Sequence, residues 1–298
     1  MKIAIPGKHM MQYLTAPARI WLLALVAMMV MPLQSLAQTL SIGLIPSEDP
    51  RLMASEYQPL IDHLAKALRM EVKPFVATDY NGVIEALRSR KLDVAMLGPF
   101  SYVLATTVAD VEAFAAPETS KAGLSYHAVI IARKDRGFRT LLDLKGRNFA
   151  FVDPSSTSGH LFPKAALVKL GYDPDDFFGR VVFSGGHDAS VLSVQNGKID
   201  AAAVADTLLE AAYSRGIVKR EDLQILWTSE PIPTVPYVMR KDLPDELRKR
   251  IRAAFLQIRD LPVGSHATIV RVDPIDDSAY DGIRETAKVL KLELKKFK

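Results

Sequence analysis

Residues 148–170 read NFAFVDPSSTSGHLFPKAALVKL. Asn148–Val152 is strand-like and apolar, residues 153–159 are turn-forming, and a helix pattern runs on to about Leu170. Strand, turn and helix in that order make half of a βαβ unit, which places the chain in the α/β class. The turn also carries chemistry. Ser156, Thr157 and Ser158 present successive hydroxyls where the helix opens, followed by Gly159. A helix N-terminus offers unpaired N–H groups and about half a positive charge, so it attracts anions. One hydroxyl is enough for an N-cap. A run of them suits a tetrahedral oxyanion, whose several oxygens each need a donor.

The same rhythm extends in both directions. Strands are expected over 39–46, 70–77, 92–97, 126–133, 148–152, 180–184, 199–203, 224–228 and 236–240. Helices are expected over 53–69, 81–90, 100–109, 189–196, 207–214, 244–259 and 278–291. The alternation predicts parallel sheets covered by helices on both faces, grouped in two α/β lobes joined by hinge strands with a ligand cleft between. The crossings are expected near 132–137 and 231–237. Residues 38–132 plus 238–298 then form the first lobe, and 133–237 the second.

Ligands in open α/β sheets bind beyond the carboxyl ends of strands. Besides the hydroxyl turn, three such loops carry polar or small residues: 78–80 with Tyr80, 98–102 with Tyr102, and 184–190 with His187 after Gly185-Gly186. Phenols and an imidazole can add donors to an anion. Each also reads as a buried ring with its polar atom satisfied. Asp206 is a candidate acceptor for a protonated ligand oxygen.

The N-terminus has an export layout. Lys2, Lys8 and Arg19 precede the apolar run IWLLALVAMMVM (20–31) and the small-x-small site Ser35-Leu36-Ala37. Twelve residues span about 18 Å, short of a roughly 30 Å membrane core. A signal peptide over 1–37, cleaved after Ala37, is expected. No later apolar run approaches a membrane span, so the mature chain is expected not to be membrane-embedded.

The whole 298-residue chain carries a net charge of +4, and residues 1–37 supply three of those charges with no acid, leaving +1 for 38–298. No basic stripe marks nucleic acid as a partner. The absence of cysteine excludes a thiolate site, a disulfide framework and lipid attachment. The histidines lack metal-ligand spacing, and no P-loop or Gly-x-Gly-x-x-Gly occurs, so no metal or cofactor is expected. Ser156, His187 and Asp206 make a formal hydrolase set without a Gly-x-Ser-x-Gly elbow, and enzymatic activity is not expected.

The turn Asp153-Pro154-Ser155-Ser156-Thr157-Ser158-Gly159 with Pro163 resembles the signature of periplasmic phosphate, phosphite and phosphonate substrate-binding proteins of ABC transporters. Gly43–Pro46, Asp79–Ile84, Leu92–Tyr102, Gly186-His187 and Lys198–Ala202 match the family in the same order. The resemblance covers most of 39–260. It implies a type II periplasmic binding protein fold, in which a monomer closes on a phosphorus oxyanion and docks on a membrane permease. It also implies that Ser156, Thr157, Ser158, Tyr80 and His187 hold the ligand. The acids with which aminoalkylphosphonate binders hold the amine fall at Thr207, beside Asp206, and at Val235, and a second site tyrosine falls at Leu97. A small or uncharged substituent is therefore expected, with phosphite, methylphosphonate or phosphate fitting better than 2-aminoethylphosphonate. Presentation of a ligand to a membrane sensor kinase, or capture of another small anion, are the competing readings.

Overall fold

The computed structural model describes residues 39–263 and 267–296. The expected signal peptide lies outside the described residues, as does His266. The chain begins with β1 (Thr39–Leu44), α1 (Pro50–Glu56), α2 (Gln58–Leu68), β2 (Glu71–Val76), α3 (Tyr80–Arg88), β3 (Val94–Met96), α4 (Pro99–Val108) and β4 (Val111–Thr119). It crosses through β5 (Ser125–Tyr126) to β6 (Ala128–Arg133), β7 (Asn148–Phe151), α5 (Phe162–Lys169), α6 (Pro174–Phe177), β8 (Arg180–Phe183) and α7 (His187–Gln195). After β9 (Ala201–Ala205), α8 (Asp206–Ser214) and β10 (Leu223–Thr228), it returns through β11 (Ile232–Pro233). The last part holds β12 (Tyr237–Arg240), α9 (Asp245–Leu256), β13 (Arg259–Val263), β14 (Ala267–Pro274) and α10 (Asp281–Val289).

Two sheets result. The first lobe holds seven strands in the order β13-β14-β4-β12-β3-β1-β2, and the second holds five in the order β10-β6-β9-β7-β8. Strand β1 pairs parallel with β2 and β3, and β7 pairs parallel with β8 and β9. These are the βαβ portions that the alternation predicts. The other pairings are antiparallel, because strands arriving from the crossings or from hairpins enter in the opposite sense. The crossing strands β5 and β11 pair with each other, Tyr126 opposite Ile232, and form a short two-stranded ribbon.

The sheets move one expected boundary. Strand β6 pairs with β9 and β10, so the first change of sheet falls between Thr119 and Ala128 rather than at 132–137. Residues 128–132 are buried on both faces. Such a run carries no alternation to say which sheet it joins. Strands β4, β13 and β14 lie where no strand was expected. Pro117 interrupts β4, while Pro262 and the left-handed Asp260 (φ 48°) interrupt β13, and these residues weaken a strand pattern. The single helix expected over 53–69 is two, broken at Tyr57, because Pro59 has no N–H to continue the first helix.

The cores explain why these elements stay in place. Helix α2 buries Leu60, Ile61, Leu64 and Leu68 with Phe255 of α9 on one face of the first sheet. Each such leucine is worth about 1.5–3 kcal/mol of hydrophobic burial. Helices α3, α4 and α10 cover the other face. In the second lobe, Phe149, Phe151, Leu167 and Phe178 fill one side and Val129, Ile131, Val191 and Val204 the other. Among the described residues, no helix is long and apolar enough to cross a membrane.

Candidate functional site

The hydroxyl turn follows β7 directly. Asp153 ties it down, accepting from Ser155 N–H at 2.7 Å through one oxygen and from Tyr80 N–H at 3.3 Å through the other. A π-helical turn over Thr157–Leu161 then leads into α5. Ser156 caps it, its Oγ accepting from Gly159 N–H at 3.0 Å. Gly159 must lack a side chain, because a Cβ there would sit 2.5 Å from Val152 and 2.8 Å from Ser156 Oγ. Thr157 Oγ1 accepts from Phe100 N–H of the first lobe at 2.8 Å. In both hydroxyls an amide occupies a lone pair, so the hydroxyl proton remains for another acceptor.

The lobes meet around this turn. His187 N–H donates to Ser47 O at 2.8 Å, Ser101 Oγ to Ser155 O at 2.9 Å, and Asp49 N–H to Asp188 Oδ2 at 3.0 Å. Between them lies a cavity of about 180 Å³. Tyr80, Ser156, Thr157, Ser158 and His187 all line it.

His187 is buried, and burial alone lowers its pKa to about 3. Its Nδ1 accepts from Ala205 N–H at 3.0 Å. A neutral imidazole whose Nδ1 accepts must carry its proton on Nε2. The ring therefore offers a donor with no charge throughout the physiological range. Burial raises the Tyr80 phenol well above its usual range, and it contacts the Ser156 side chain. Among the described lining residues only Lys121 and Glu210 are charged, and Glu210 is held by Arg220. Apart from exposed Lys121, the side-chain donors that line the cavity are neutral.

Two expected site residues stand elsewhere. Tyr102 is buried in the core, donating to Asp277 Oδ1 at 2.7 Å and accepting from Ala113 N–H at 3.2 Å. Its ring meets Tyr280 edge-on at 5.1 Å. Its place on α4 turns it away from the cleft and onto the 3-10 turn Asp277–Tyr280 that precedes α10. Asp206 does not line the cavity. Its oxygens take His127 N–H at 3.0 Å, Thr207 N–H at 2.7 Å and His127 Nδ1 at 3.1 Å. That carboxylate fastens the crossing segment to α8, and its three hydrogen bonds all go to protein partners.

The sequence reading missed Ser47, Tyr57, Tyr126 and Tyr237, which all line the cavity. The Tyr126 phenol, raised chiefly by burial, contacts the hydroxyls of Thr157 and Ser158. The structure puts it on the crossing strand β5, whereas the sequence reading put that crossing at 132–137, so the sequence carried no signal for it.

Residues 42–280 match the family model described as ABC transporter, phosphonate, periplasmic substrate-binding protein. The chain belongs to this family. Like other phosphonate-family binding proteins, it keeps the fold over nearly its whole described length. It is 30% identical to the phosphate-import protein PhnD of Mycolicibacterium smegmatis, covering 85% of this chain and 86% of that one. It is 29% identical to the phosphonates-binding periplasmic protein of Escherichia coli, over 76% of this chain and 68% of that one. A crystal structure of a binding-protein component of an ABC phosphonate transporter from Pseudomonas aeruginosa superposes with TM-score 0.78. The two share 26% identity over 84% of this chain and 85% of that one. The type II two-lobed fold of this phosphonate-binding family member is therefore the one implied by its sequence.

Proposed function

We propose that the protein captures a phosphorus oxyanion in the periplasm and delivers it, as a monomer, to an ABC transporter permease for import. The observation that carries this reading is the convergence of Ser156, Thr157, Ser158, Tyr80, Tyr126 and His187 on one cavity between the lobes. A buried anion must have its oxygens hydrogen-bonded, and hydrogen bonds to a charged group are about twice as strong as neutral ones. Neutral donors do this without trapping the ligand through a buried counter-charge, which suits a protein that must release its cargo.

Export with cleavage after Ala37 delivers the chain to that compartment. The lobes close about the paired crossing segments β5 and β11, within residues 120–127 and 229–236. A P–C or P–H substituent points away from the donors. A cationic amine finds no unengaged carboxylate among the described lining residues, so 2-aminoethylphosphonate ranks below phosphite, methylphosphonate and phosphate.

Isothermal titration of the ligand-free protein with phosphite, methylphosphonate, phosphate, 2-aminoethylphosphonate and sulfate tests the reading. Tight binding of at least one phosphorus compound is expected, and Ser156→Ala with Thr157→Ala abolishes it. Folded protein that binds none of the phosphorus compounds refutes it.

A further inference from the structure

Burial separates the floor of the cavity from its mouth. Tyr80, Ser156, Thr157, Ser158 and His187 are buried. Among the described lining residues only Lys121 and Ser214 are exposed. Lys121 lies just after β4 in the first lobe, and Ser214 ends α8 in the second. The cavity thus meets solvent at one residue from each lobe, and one of the two is a cation.

The turn that carries Lys121 is fixed. Thr119 N–H donates to Gly123 O at 3.1 Å and Gly123 N–H to Thr119 O at 2.9 Å, with Gly123 in the left-handed region at φ 64°. Ala122 N–H donates to Thr119 Oγ1 at 3.2 Å. Ser120 N–H donates to Thr268 O at 2.9 Å, and Thr268 N–H to Ser120 Oγ at 3.1 Å, which ties the turn to β14. A fixed backbone keeps the ammonium within one side-chain length of its place at the mouth.

The charged groups of the segments around the mouth are engaged with one another. Glu210 bonds Arg220, Glu118 bonds Arg271, Asp206 bonds His127, and Arg215 bonds Glu48 and Glu56. Lys121 has no hydrogen bond or ion pair among the described residues. The floor supplies an anion with donors but no counter-charge, and the Asp153 carboxylate adds negative charge beside Tyr80. The chain as a whole does not make up for this, since residues 38–298 carry only +1. A charge in a cleft mouth governs association and its salt dependence more than release.

We propose that Lys121 is the capture residue of this site: it draws the phosphorus oxyanion to the mouth and sets the association rate, while the neutral donors of the floor set the residence time. This deepens the proposed function and rests on it.

The test uses protein expressed as the full chain, exported and freed of ligand, at pH 8, where a phosphoryl group with a second pKa of about 6 is mostly a dianion. Phosphite, methylphosphonate and phosphate are titrated, and the tightest is carried forward. Calorimetry gives its affinity, 31P spectroscopy of free and bound ligand gives its dissociation rate, and the two together give the association rate. At about 10 Å in water one ammonium raises the local concentration of a dianion about fourfold. Lys121→Gln is therefore expected to associate about fourfold more slowly at 10 mM salt, with dissociation unchanged. The difference is expected to vanish at 1 M salt, where the Debye length is only about 3 Å. Lys121→Arg is expected to keep the wild-type rate. So is Lys249→Gln, which removes the same charge from an exposed position on α9 outside the cavity lining.

Unchanged association in Lys121→Gln overturns the proposal, as does equal slowing in Lys249→Gln, which would make net charge rather than position the cause. A defect confined to dissociation and persisting at 1 M salt also overturns it, because Lys121 would then hold the ligand directly. In each of these cases phosphorus capture stands. Failure of all three compounds to bind folded wild-type protein overturns both readings together.

Discussion

Replacing Arg215 with methionine should weaken ligand binding far more than it weakens the fold. Arg215 follows α8 in the second lobe, while Glu48 and Glu56 belong to the first. The guanidinium reaches Glu48 at 2.5 Å and Glu56 at 2.7 Å, and the three side chains are only 11%, 4% and 8% exposed. This buried cluster exists only while the lobes are together. When they part, all three groups can hydrate separately. With methionine at 215, closure must bury Glu48 and Glu56 without the guanidinium that bonds both. Breaking a buried pair by removing one partner costs about 3–5 kcal/mol. At about 1.4 kcal/mol per factor of ten, affinity falls by roughly two to three and a half orders of magnitude. The ligand-free protein escapes this cost by staying open, so its melting temperature changes little.

The pH dependence supplies an independent check. Burial holds the Glu48 and Glu56 carboxyls above their usual range, against the pull of Arg215. A carboxyl with a higher pKa in the closed form takes up a proton on closing. Its penalty is therefore full at pH above the closed-form value and disappears as pH falls below the open-form value. Without Arg215 the closed-form values rise further. Calorimetric titration should show a large defect at pH 8 that shrinks at pH 5, and Glu48→Gln with Glu56→Gln should rescue it at pH 8. Loss of less than about threefold, or the same loss at both pH values, would refute the reasoning.

Three further outcomes are expected. His187 and His160, held by burial to about 3 and about 4, contribute stability that is complete above the ordinary value of 6.5 and is lost as pH falls toward those figures. At 1.36 kcal/mol per unit this is roughly 5 and 3 kcal/mol. Acid unfolding of wild type against His160→Gln checks it, and identical acid limbs would count against it. Tyr102→Phe should lower stability by about 1–2 kcal/mol through its lost bonds to Asp277 and Ala113 without altering ligand affinity. Tyr126→Phe should do the reverse, and a melting curve with a titration on each variant separates the two roles.

The parts of this fold that the sequence shows plainly are those in which local pattern and final partner agree. Strands β1, β3, β7 and β9 are apolar runs bounded by turn residues, and each is followed by an amphipathic helix or a capped turn. Strand β6 shows where that legibility stops. It is equally apolar on both faces, and only its pairing with β9 and β10 assigns it to the second sheet. Strand β13 is harder still, since a left-handed aspartate and a proline disguise it.

The candidate site divides along a similar line. The hydroxyl turn is contiguous, and its excess of hydroxyls over the needs of capping is visible in one dimension. Tyr102 and Asp206 look no different in sequence from Tyr80 and Thr207. Their roles were settled by what lies beside them: Asp277 and Ala113 claim the first, and His127 claims the second. Tyr57 and Tyr237 are separated by 180 positions and meet only because β12 is threaded into the middle of a sheet begun by β1.

That threading has a consequence for specificity. The hydroxyls proposed to meet the anion lie in one contiguous turn, where amides fix the roles of Ser156 and Thr157, while Tyr80, Tyr126 and His187 reach the same cavity from three other segments. Met96 of β3, Tyr237 of β12, Val263 of β13, Ile269 of β14 and Tyr57 at the junction of α1 and α2 line the same cavity, all from the first lobe. A substitution among them leaves the hydroxyl turn in place, so Val263→Ala is expected to change the ranking of larger phosphonates more than the affinity for phosphite, and calorimetric titration of the series reads the difference.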